Sequence, residues 1–333
     1  MPKFKDIGVV SRMQKLRAAT NCTYISSMLP MGDNTVRAVN GLITGLLNTS
    51  IYENYQPMSF KQPYAMGIAQ IMKQLGYKTV FWYGGYATWE DVKNFALAQG
   101  FDEFHCADEF GTKTDNVWGC ADEVLFQNAE VYLKQEQKNE KVFHMVLTIA
   151  PYIIDVDKLG FPREAVRSKL PIDIARDDNT LTELGHIWYA DKTMGDFVAQ
   201  AEKQLPDSLF IITGDHMERF TFAVEQDARI MMSVPCIFYG QGVQKDWFKE
   251  NSVGCHMQIA GTLAELLAPA GFTYSAMLPS MFAEQGFAFN HRLFAVDGKI
   301  YTQDSSADKK ITDYINSMRG VGAWRVLKGD AVK

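Results

Sequence analysis

Short apolar runs rich in β-branched and aromatic residues recur along the chain and predict buried strands. They cover Thr79–Tyr83, Val142–Thr148, Leu209–Thr213 and Cys236–Tyr239. Apolar residues with helical spacing lie between and after them, over Ala65–Leu75, Trp89–Gln99, Ala121–Gln135, Tyr189–Gln204 and His256–Ala268. Strands that alternate with helices predict an α/β fold, in which helices cover both faces of a mainly parallel central sheet.

Two further stretches depart from this alternation. Residues 155–180 are polar, charged and proline-bearing, and we expect a long surface loop beside the sheet. Phe287–Thr302 alternates apolar and polar positions around Asp297-Gly298, which is a hairpin signal. The sequence therefore predicts a main domain over residues 1–285 and a small antiparallel appendage with a helix over residues 286–333.

Composition narrows the classes of function. The chain has 333 residues, 47% of them apolar, and a net charge of -6 at pH 7. A mildly acidic chain with scattered basic residues gives no reason to expect nucleic acid as a partner, and no protein partner is indicated. The five cysteines form no C-x-x-C pair, so a zinc knuckle is not expected. We find neither a signal peptide nor an apolar stretch of about 18 residues that would span a membrane.

The first candidate for chemistry follows the predicted strand Leu209–Thr213. Gly214 permits a turn there, and Asp215 and His216 then project beyond the carboxyl end of the strand, where ligands bind in open parallel sheets. A carboxylate oxygen and an imidazole nitrogen side by side are suited to one divalent ion. The alternative is a turn in which the pair caps the next helix.

The second candidate is Thr35, in the segment Gly32-Asp-Asn-Thr-Val-Arg37. Turn residues precede it, and the apolar spacing after it predicts a helix. A hydroxyl at a helix N-terminus lies near unpaired N–H groups and the positive end of the helix dipole, which favour an alkoxide and an anionic ester. The alternative is ordinary, since a threonine beside asparagine and aspartate is also a typical N-cap pattern.

Several segments in the same order resemble the lipoteichoic-acid-synthase type of sulfatase-like protein, within the alkaline phosphatase/sulfatase superfamily. Gly32–Arg37 resembles the G-x-x-T-V-R segment of that family, and Gly214–Arg219 resembles its G-D-H-x-E segment. The remaining matches are Leu75–Gly85, Gln99–Phe104, Trp118–Glu123, Tyr189–Phe197, Pro235–Gly240 and Gly254–Leu263. The resemblance therefore covers most of the chain.

The resemblance implies a metal-dependent phosphotransferase or phosphodiesterase that uses Thr35 as its nucleophile and forms a phospho-threonine. It implies one divalent ion, most often manganese but also magnesium or zinc, held by Thr35, Asp215 and His216. Four residues are expected to contact the substrate: Arg37, Tyr83, Trp89 and His256. The expected substrate is an anionic lipid or glycan phosphoester of the phosphoglycerol type. Full-length members of this family act on the extracytoplasmic face of the bacterial membrane.

The chain departs from the family pattern in three places. The strand that precedes the nucleophile in the family and ends in an acidic metal ligand has no counterpart, although Asp33 and Glu53 are acidic residues nearby in sequence. The family Asn-His is absent from Met145–Tyr152, and Gln258 replaces an aspartate. These departures leave a second interpretation open, a degenerate domain that binds but does not catalyse. A formylglycine sulfatase is disfavoured, because no cysteine here lies in a C/S-x-P-x-R segment.

Overall fold

The computed structural model describes residues 6–111, 117–135, 140–149, 155–175, 177–217, 232–303 and 309–329. The strands are β1 (Cys22–Leu29), β2 (Lys78–Tyr83), β3 (Glu103–Cys106), β4 (Val142–Leu147), β5 (Leu209–Thr213), β6 (Val234–Gly240), β7 (Val253–Cys255), β8 (Phe287–Phe289), β9 (Leu293–Val296) and β10 (Lys299–Thr302). The helices are α1 (Ser11–Ala18), α2 (Thr35–Thr44), α3 (Ile68–Gln74), α4 (Val92–Ala98), α5 (Asp122–Leu133), α6 (Arg163–Arg167), α7 (Ile172–Ala175), α8 (Asp178–Gln204), α9 (Ile259–Leu267) and α10 (Lys309–Lys328). Short 3₁₀ turns cover Glu53–Tyr55, Pro57–Phe60, Trp89–Asp91, Ala107–Glu109 and His256–Gln258.

Two sheets form the centre of the α/β structure. One has the strand order β3-β2-β4 and is parallel throughout, and the other has the order β5-β6-β1-β7 and is mixed. In the mixed sheet β6 is antiparallel to both of its neighbours, whereas β1 and β7 are parallel. The predicted α/β class with a mainly parallel sheet between helices is confirmed.

Both sheets share the same helical layers. On one face a single apolar cluster joins residues of β1 and β6 to residues of β2 and β3, together with α3, α4 and α9. On the other face α8 reaches both sheets, because Phe197 packs against the apolar cluster that Val142 and Val146 of β4 also contact, while Val198 belongs to the cluster that Phe210 and Ile212 of β5 contact. The two sheets are therefore neighbouring parts of one layer.

The strands β4 and β5 end their sheets on the sides that lie under α8. Within the described residues each has a hydrogen-bonded strand on one side only. Every residue of β4 and β5 is half-buried, although β6 is almost completely buried. Within the described residues each of the two strands therefore has one open backbone edge.

The sequence located some elements and missed others. All four predicted strands are confirmed to within two residues at either end. Strands β1, β3 and β7 were not predicted. Strand β1 carries threonine and serines that hide its apolar pattern, and β7 has only three residues. All five cysteines are buried and free.

The prediction of a loop over residues 155–180 is wrong for much of its length. Helices α6 and α7 form there, and α8 begins at Asp178, earlier than the Tyr189 start that was predicted. These helices bury Val166, Leu181 and Leu184 in a cluster with Ile7 and Val9. The apolar partners lie between 157 and 177 positions away in the chain, so a local pattern does not reveal the burial.

The C-terminal hairpin is confirmed as β9 and β10, with β8 added as a third antiparallel strand. Asp297 and Gly298 both have positive φ, 46° and 79°, as a two-residue turn of this kind requires. Phe289 and Leu293 of this sheet pack with Leu29 and Cys255 of the mixed sheet in one apolar cluster. The domain boundary at residue 286 stays a prediction. None of the described helices is long and apolar enough to cross a membrane.

The open edge of β4 predicts a pattern of amide hydrogen exchange. Lys78 donates to the Lys141 carbonyl and Gly84 to the Leu147 carbonyl, so the odd-numbered residues of β4 face β2. The Met145 amide should therefore be protected, whereas the Val146 amide should exchange at least ~10-fold faster because it points away from β2 to the open edge. Residue-resolved exchange measured by NMR checks this. Equal protection of both amides would mean that a further segment pairs with β4.

Candidate active site at the edge of the mixed sheet

The topology of the mixed sheet brings three loops together. Strands β1 and β5 are each antiparallel to β6 and so run in the same direction, and β7 is parallel to β1. Their carboxyl ends consequently lie at one edge of the sheet. The loop after β1 carries Thr35, the loop after β5 carries Asp215 and His216, and the loop after β7 carries His256.

Asn34, not Thr35, caps helix α2. The Asn34 side chain accepts a hydrogen bond from the Arg37 amide at 3.1 Å, and Thr35 is the first helical residue. Gly32 permits this tight entry, because a Cβ at that position would lie 2.5 Å from Cβ of Arg37. The Thr35 hydroxyl is therefore not used by the cap, which was the alternative explanation for a threonine in this segment.

Thr35 and His216 meet although 181 positions separate them. The Thr35 Oγ1 lies 3.3 Å from Nε2 of His216. The His216 Nδ1 lies 2.7 Å from the Met217 carbonyl and therefore carries the proton, which leaves the lone pair of Nε2 directed at Thr35. The Asp215 Oδ2 lies 3.6 Å from the same nitrogen. The predicted nucleophile and both predicted metal ligands thus lie side by side.

His256 connects the loops. It is 2% exposed, its Nδ1 accepts a hydrogen bond from the Met31 amide at 3.3 Å, and its Nε2 donates to the Gly214 carbonyl at 3.1 Å. Burial lowers the pKa of His256 from 6.5 to about 4, against the opposing effect of Asp215, so the ring is neutral at pH 7. Contact with a substrate, as the resemblance implies, would require one of these two bonds to break.

The other predicted substrate contacts lie on either side of these loops. Arg37 is half-buried, with its guanidinium 3.7 Å from Asp33 and 4.9 Å from the centre of the Tyr52 ring. Tyr83 ends β2 and is 4% exposed, and burial raises the pKa of its phenol. Its ring lies 5.6 Å from that of the half-buried Trp89. The roles of these three residues in substrate binding stay predictions.

Within the described residues, no further acidic side chain joins Asp215 and His216 as a metal ligand. That part of the chain contains no group of three or more His, Cys, Asp and Glu side chains that could hold a metal ion. Glu53 is 3% exposed and accepts a hydrogen bond from Asn40, and burial raises its pKa to about 7. Asp33 lies between two arginines, at 3.7 Å from Arg37 and 3.4 Å from Arg292.

The three donors present nevertheless have a spacing suited to a metal ion. Bonds of 2.0–2.2 Å at tetrahedral angles place neighbouring ligand atoms about 3.4 Å apart. The two separations around His216 Nε2 are 3.3 Å to the Thr35 hydroxyl and 3.6 Å to the Asp215 carboxylate. A hydroxyl, a carboxylate and an imidazole with a free lone pair fit one divalent ion and leave positions for other ligands.

Gln258 is accounted for by the backbone around it. Its Oε1 accepts a hydrogen bond from the Cys255 amide at 3.0 Å, and its Nε2 donates to the Pro279 carbonyl at 3.0 Å. The side chain is 0% exposed. A neutral amide can make both bonds, whereas an aspartate has no donor for Pro279. Of the stretch Met145–Tyr152, where Asn-His is absent, residues 150–152 lie outside the described residues.

A family model supports the sequence resemblance. The model described as Sulfatase matches residues 7–269, which is most of the chain. The chain therefore belongs to the sulfatase family. At this level the resemblance inferred from the sequence segments is confirmed.

Solved structures with the same fold include transferases. The lipoteichoic acid synthase LtaP from Listeria monocytogenes has a TM-score of 0.74 and 17% identity, over 96% of this chain and 86% of its own. A protein of the alkaline phosphatase superfamily from Vibrio parahaemolyticus has a TM-score of 0.72 and 19% identity, over 97% and 84%. The phosphoglycerol transferase GacH from Streptococcus pyogenes, in complex with sn-glycerol-1-phosphate, has a TM-score of 0.61 and 14% identity, over 96% and 79%. At such identities the likeness shows the fold.

The neutral His256 predicts a pH dependence of stability. Because folding lowers its pKa from 6.5 to about 4, the unfolded chain gains a proton below pH 6.5 that the folded chain gains only near pH 4. The contribution of His256 to the free energy of unfolding is complete above pH 6.5. It is lost as the pH falls to 4, and the loss is up to about 3 kcal/mol. Urea unfolding at several pH values should therefore show that His256→Gln loses less unfolding free energy on acidification than the wild type.

The pH dependence of stability must be compared between the wild type and His256→Gln, because other groups change stability in the opposite direction. Burial raises the pKa of both Glu53 and Asp122 to about 7, which lowers stability as the pH rises. These two carboxyl groups are the same in wild type and variant, so the difference isolates His256. Identical pH profiles for the two proteins would contradict the assignment of a neutral ring.

Proposed function

We propose that this protein transfers or hydrolyses phosphoesters of the phosphoglycerol type through a covalent phospho-threonine at Thr35. The observation that carries the proposal is the 3.3 Å approach of the Thr35 hydroxyl to Nε2 of His216, at the first residue of helix α2. The nucleophile, an imidazole nitrogen able to hold a metal ion beside it and the helix N-terminus come together there, and each favours attack by an oxygen on an anionic ester.

The residues of this chain account for the steps of the transfer. Attack by Thr35 Oγ1 forms a bond to phosphorus and breaks the bond to the leaving alcohol, which gains a proton. The lone pair on His216 Nε2 lies beside the hydroxyl that must lose one, where it would hold the divalent ion that eases this loss. Asn34 caps the Arg37 amide, which leaves the amides of Thr35 and Val36 directed at an incoming oxyanion. An acceptor alcohol or water then attacks phosphorus and releases Thr35.

The donor set favours a divalent metal, with manganese as the proposed ion. Thr35, Asp215 and His216 would hold it. Such an ion, when bound, lowers the pKa of a coordinated hydroxyl and neutralises charge on the phosphoryl oxygens. The Met217 carbonyl contributes indirectly, because it fixes the tautomer of His216 that leaves Nε2 available.

The nature of the substrate rests on the relatives and on the charge near Thr35. LtaP is a lipoteichoic acid synthase, and GacH is a phosphoglycerol transferase solved with sn-glycerol-1-phosphate. Arg37 supplies a positive charge within the first turn of the same helix. We infer an anionic lipid or glycan phosphoester as the substrate and the extracytoplasmic face of the membrane as its location.

One observation favours a second candidate function, a domain that binds without catalysing. Within the described residues no third carboxylate or imidazole completes the set formed by Asp215 and His216. A site with few protein ligands binds metal weakly, and a fold can persist after its catalytic activity is lost. Metal titration separates the two candidate functions.

The nucleophile assignment predicts the behaviour of two variants. Thr35→Ala should lower turnover of a phosphodiester substrate at least ~1,000-fold, because the attacking oxygen is gone. Thr35→Ser retains the hydroxyl and should keep a measurable fraction of the rate. Mass spectrometry of denatured wild-type protein should find a substrate-derived phosphoryl group on the peptide that contains Thr35.

The control for this comparison is the folded state. Thr35 is half-exposed and lies outside the apolar core, so Thr35→Ala should unfold at nearly the same temperature as the wild type. Turnover by a folded Thr35→Ala variant at a rate similar to the wild type would exclude Thr35 as the nucleophile.

The donor set predicts stabilisation by metal. Millimolar manganese should raise the thermal unfolding temperature of the wild type, because an ion that binds only the folded state stabilises it. His216→Gln and Asp215→Asn should each reduce that rise by more than half. Asp246→Asn removes an exposed carboxylate outside this site and is the matched control. No rise for the wild type at millimolar metal would favour the binding domain over the enzyme.

A further inference from the structure

A cavity lined by Asp33 and Arg37 adjoins the nucleophile segment. Its volume is about 300 Å³, at the lower end of the range of small-molecule sites. Its lining includes Arg37, Arg292, Arg319, Asp33, His291 and Asn48. We refer to it as the arginine pocket. Three guanidinium groups face one carboxylate there, so the pocket has an excess of positive charge.

The charges of the pocket are only partly matched by the protein. The guanidiniums of Arg37 and Arg292 lie 3.7 and 3.4 Å from Asp33, longer than the ~2.7–2.9 Å of a charge-assisted hydrogen bond. The hydrogen bonds of Arg319 go to the His291 carbonyl at 2.6 Å and the side-chain oxygens of Gln303 and Asn316, which are all neutral acceptors. One carboxylate at long range thus faces two of the three cations, and the third has only neutral partners.

Several polar atoms at the pocket are also unsatisfied. Within the part of the chain that the structure describes, Nε of Arg37, Nδ2 of Asn48, both ring nitrogens of His291 and Oδ1 of Asp33 are buried without a hydrogen-bond partner. Buried donors are normally paired, and a donor left unpaired often marks the position of a ligand, water or ion. A tetrahedral oxyanion has enough acceptor oxygens to bind a guanidinium and an amide at the same time.

The arginine pocket is distinct from the place where Thr35 reacts. Arg37 follows Thr35 by two residues, and side chains two positions apart point about 200° from each other around a helix. Thr35 faces His216, whereas Arg37 faces Asp33 and the Tyr52 ring. A single phosphoryl group therefore does not serve both side chains, but a longer substrate can pass from one to the other around the start of α2.

We propose that the arginine pocket binds a second phosphate of the substrate, one that is not attacked, so that the preferred substrate carries repeated phosphates. This inference rests on the proposed function for the identity of the substrate, but the anion site itself stands on the charges of the pocket. Arg292 and Arg319 come from the C-terminal appendage. The appendage thereby acquires a role in substrate selection.

Isothermal titration of metal-free protein with inorganic phosphate tests the anion site. Arg292 is the best position for a substitution, because its side chain is 67% exposed and its removal leaves the core intact. Arg292→Gln should weaken phosphate binding at least ~10-fold, as expected for the loss of a hydrogen bond to a charged group. The control Arg17→Gln replaces an exposed arginine on α1 and should bind like the wild type. Binding should also weaken as salt is raised.

Two further variants locate the bound anion. Thr35→Ala and His216→Gln should bind phosphate as the wild type does if the anion occupies the arginine pocket. Loss of binding in these variants, with binding retained in Arg292→Gln, would place the anion at the reacting site and overturn the proposal. If Arg292→Gln and Arg17→Gln weaken phosphate binding equally, the effect comes from net charge alone. That result would also overturn the proposal.

A kinetic comparison tests the role in substrate selection. Arg292→Gln should raise KM for both kinds of substrate by different factors. The factor for a substrate with two phosphodiesters should be at least ~10 times the factor for a substrate with one. An equal rise for both substrates would contradict a second phosphate site. Failure of this proposal and failure of the proposed function give different results. If neither substrate turns over, phosphate binding that depends on Arg292 still establishes the pocket. If phosphate binding does not depend on Arg292, the proposed chemistry at Thr35 is unaffected.

Discussion

The geometry of the candidate site depends on the two hydrogen bonds of His256. One of its nitrogens accepts from the Met31 amide in the loop after β1, and the other donates to the Gly214 carbonyl in the loop after β5. A neutral imidazole is the only protonation state that accepts and donates at once, and burial ensures that state. Because the two loops are held together in this way, Thr35 and His216 approach to 3.3 Å across 181 positions of sequence. His256 in this arrangement acts as a positioning residue.

The sequence predicted those features whose signal is local. Strand β5 and the pair Asp215-His216 could be found because an apolar run, a glycine and two polar residues follow one another directly. The role of Thr35 could not be decided from its neighbours, since Asn34 and Thr35 are both good caps and only the structure shows that Asn34 makes the hydrogen bond. Strand β1 escaped prediction because Thr23 and Ser27 are buried within it, and burial there comes from the neighbouring strands.

The features that escaped prediction depend on residues far apart in the chain. The arginine pocket combines Arg37 from α2 with Arg292 and Arg319 from the C-terminal part, and no spacing in the sequence relates them. The helical cluster over residues 155–185 packs on Ile7 and Val9, so a stretch that reads as a solvated loop has a buried side. In both cases the residues are polar in composition, but the fold decides which of these side chains face solvent and which face one another.

The arrangement of the two sheets explains how the candidate active site keeps its geometry beside the open edge of β5. All three loops of the candidate site come from the mixed sheet, where β6 and β1 are paired on both sides. Strand β5 has a paired strand on one side only within the described residues, and its residues are half-buried along their whole length. Thr35 therefore follows a strand that is paired on both sides, whereas Asp215 and His216 follow β5; the short β7 before His256 also pairs on one side only within the described residues. Since local opening is easiest where backbone pairing is incomplete, any loosening of the site should begin with the metal-ligand pair rather than with the nucleophile. The Gly214–His256 hydrogen bond opposes that loosening, because it ties the end of β5 to the interior.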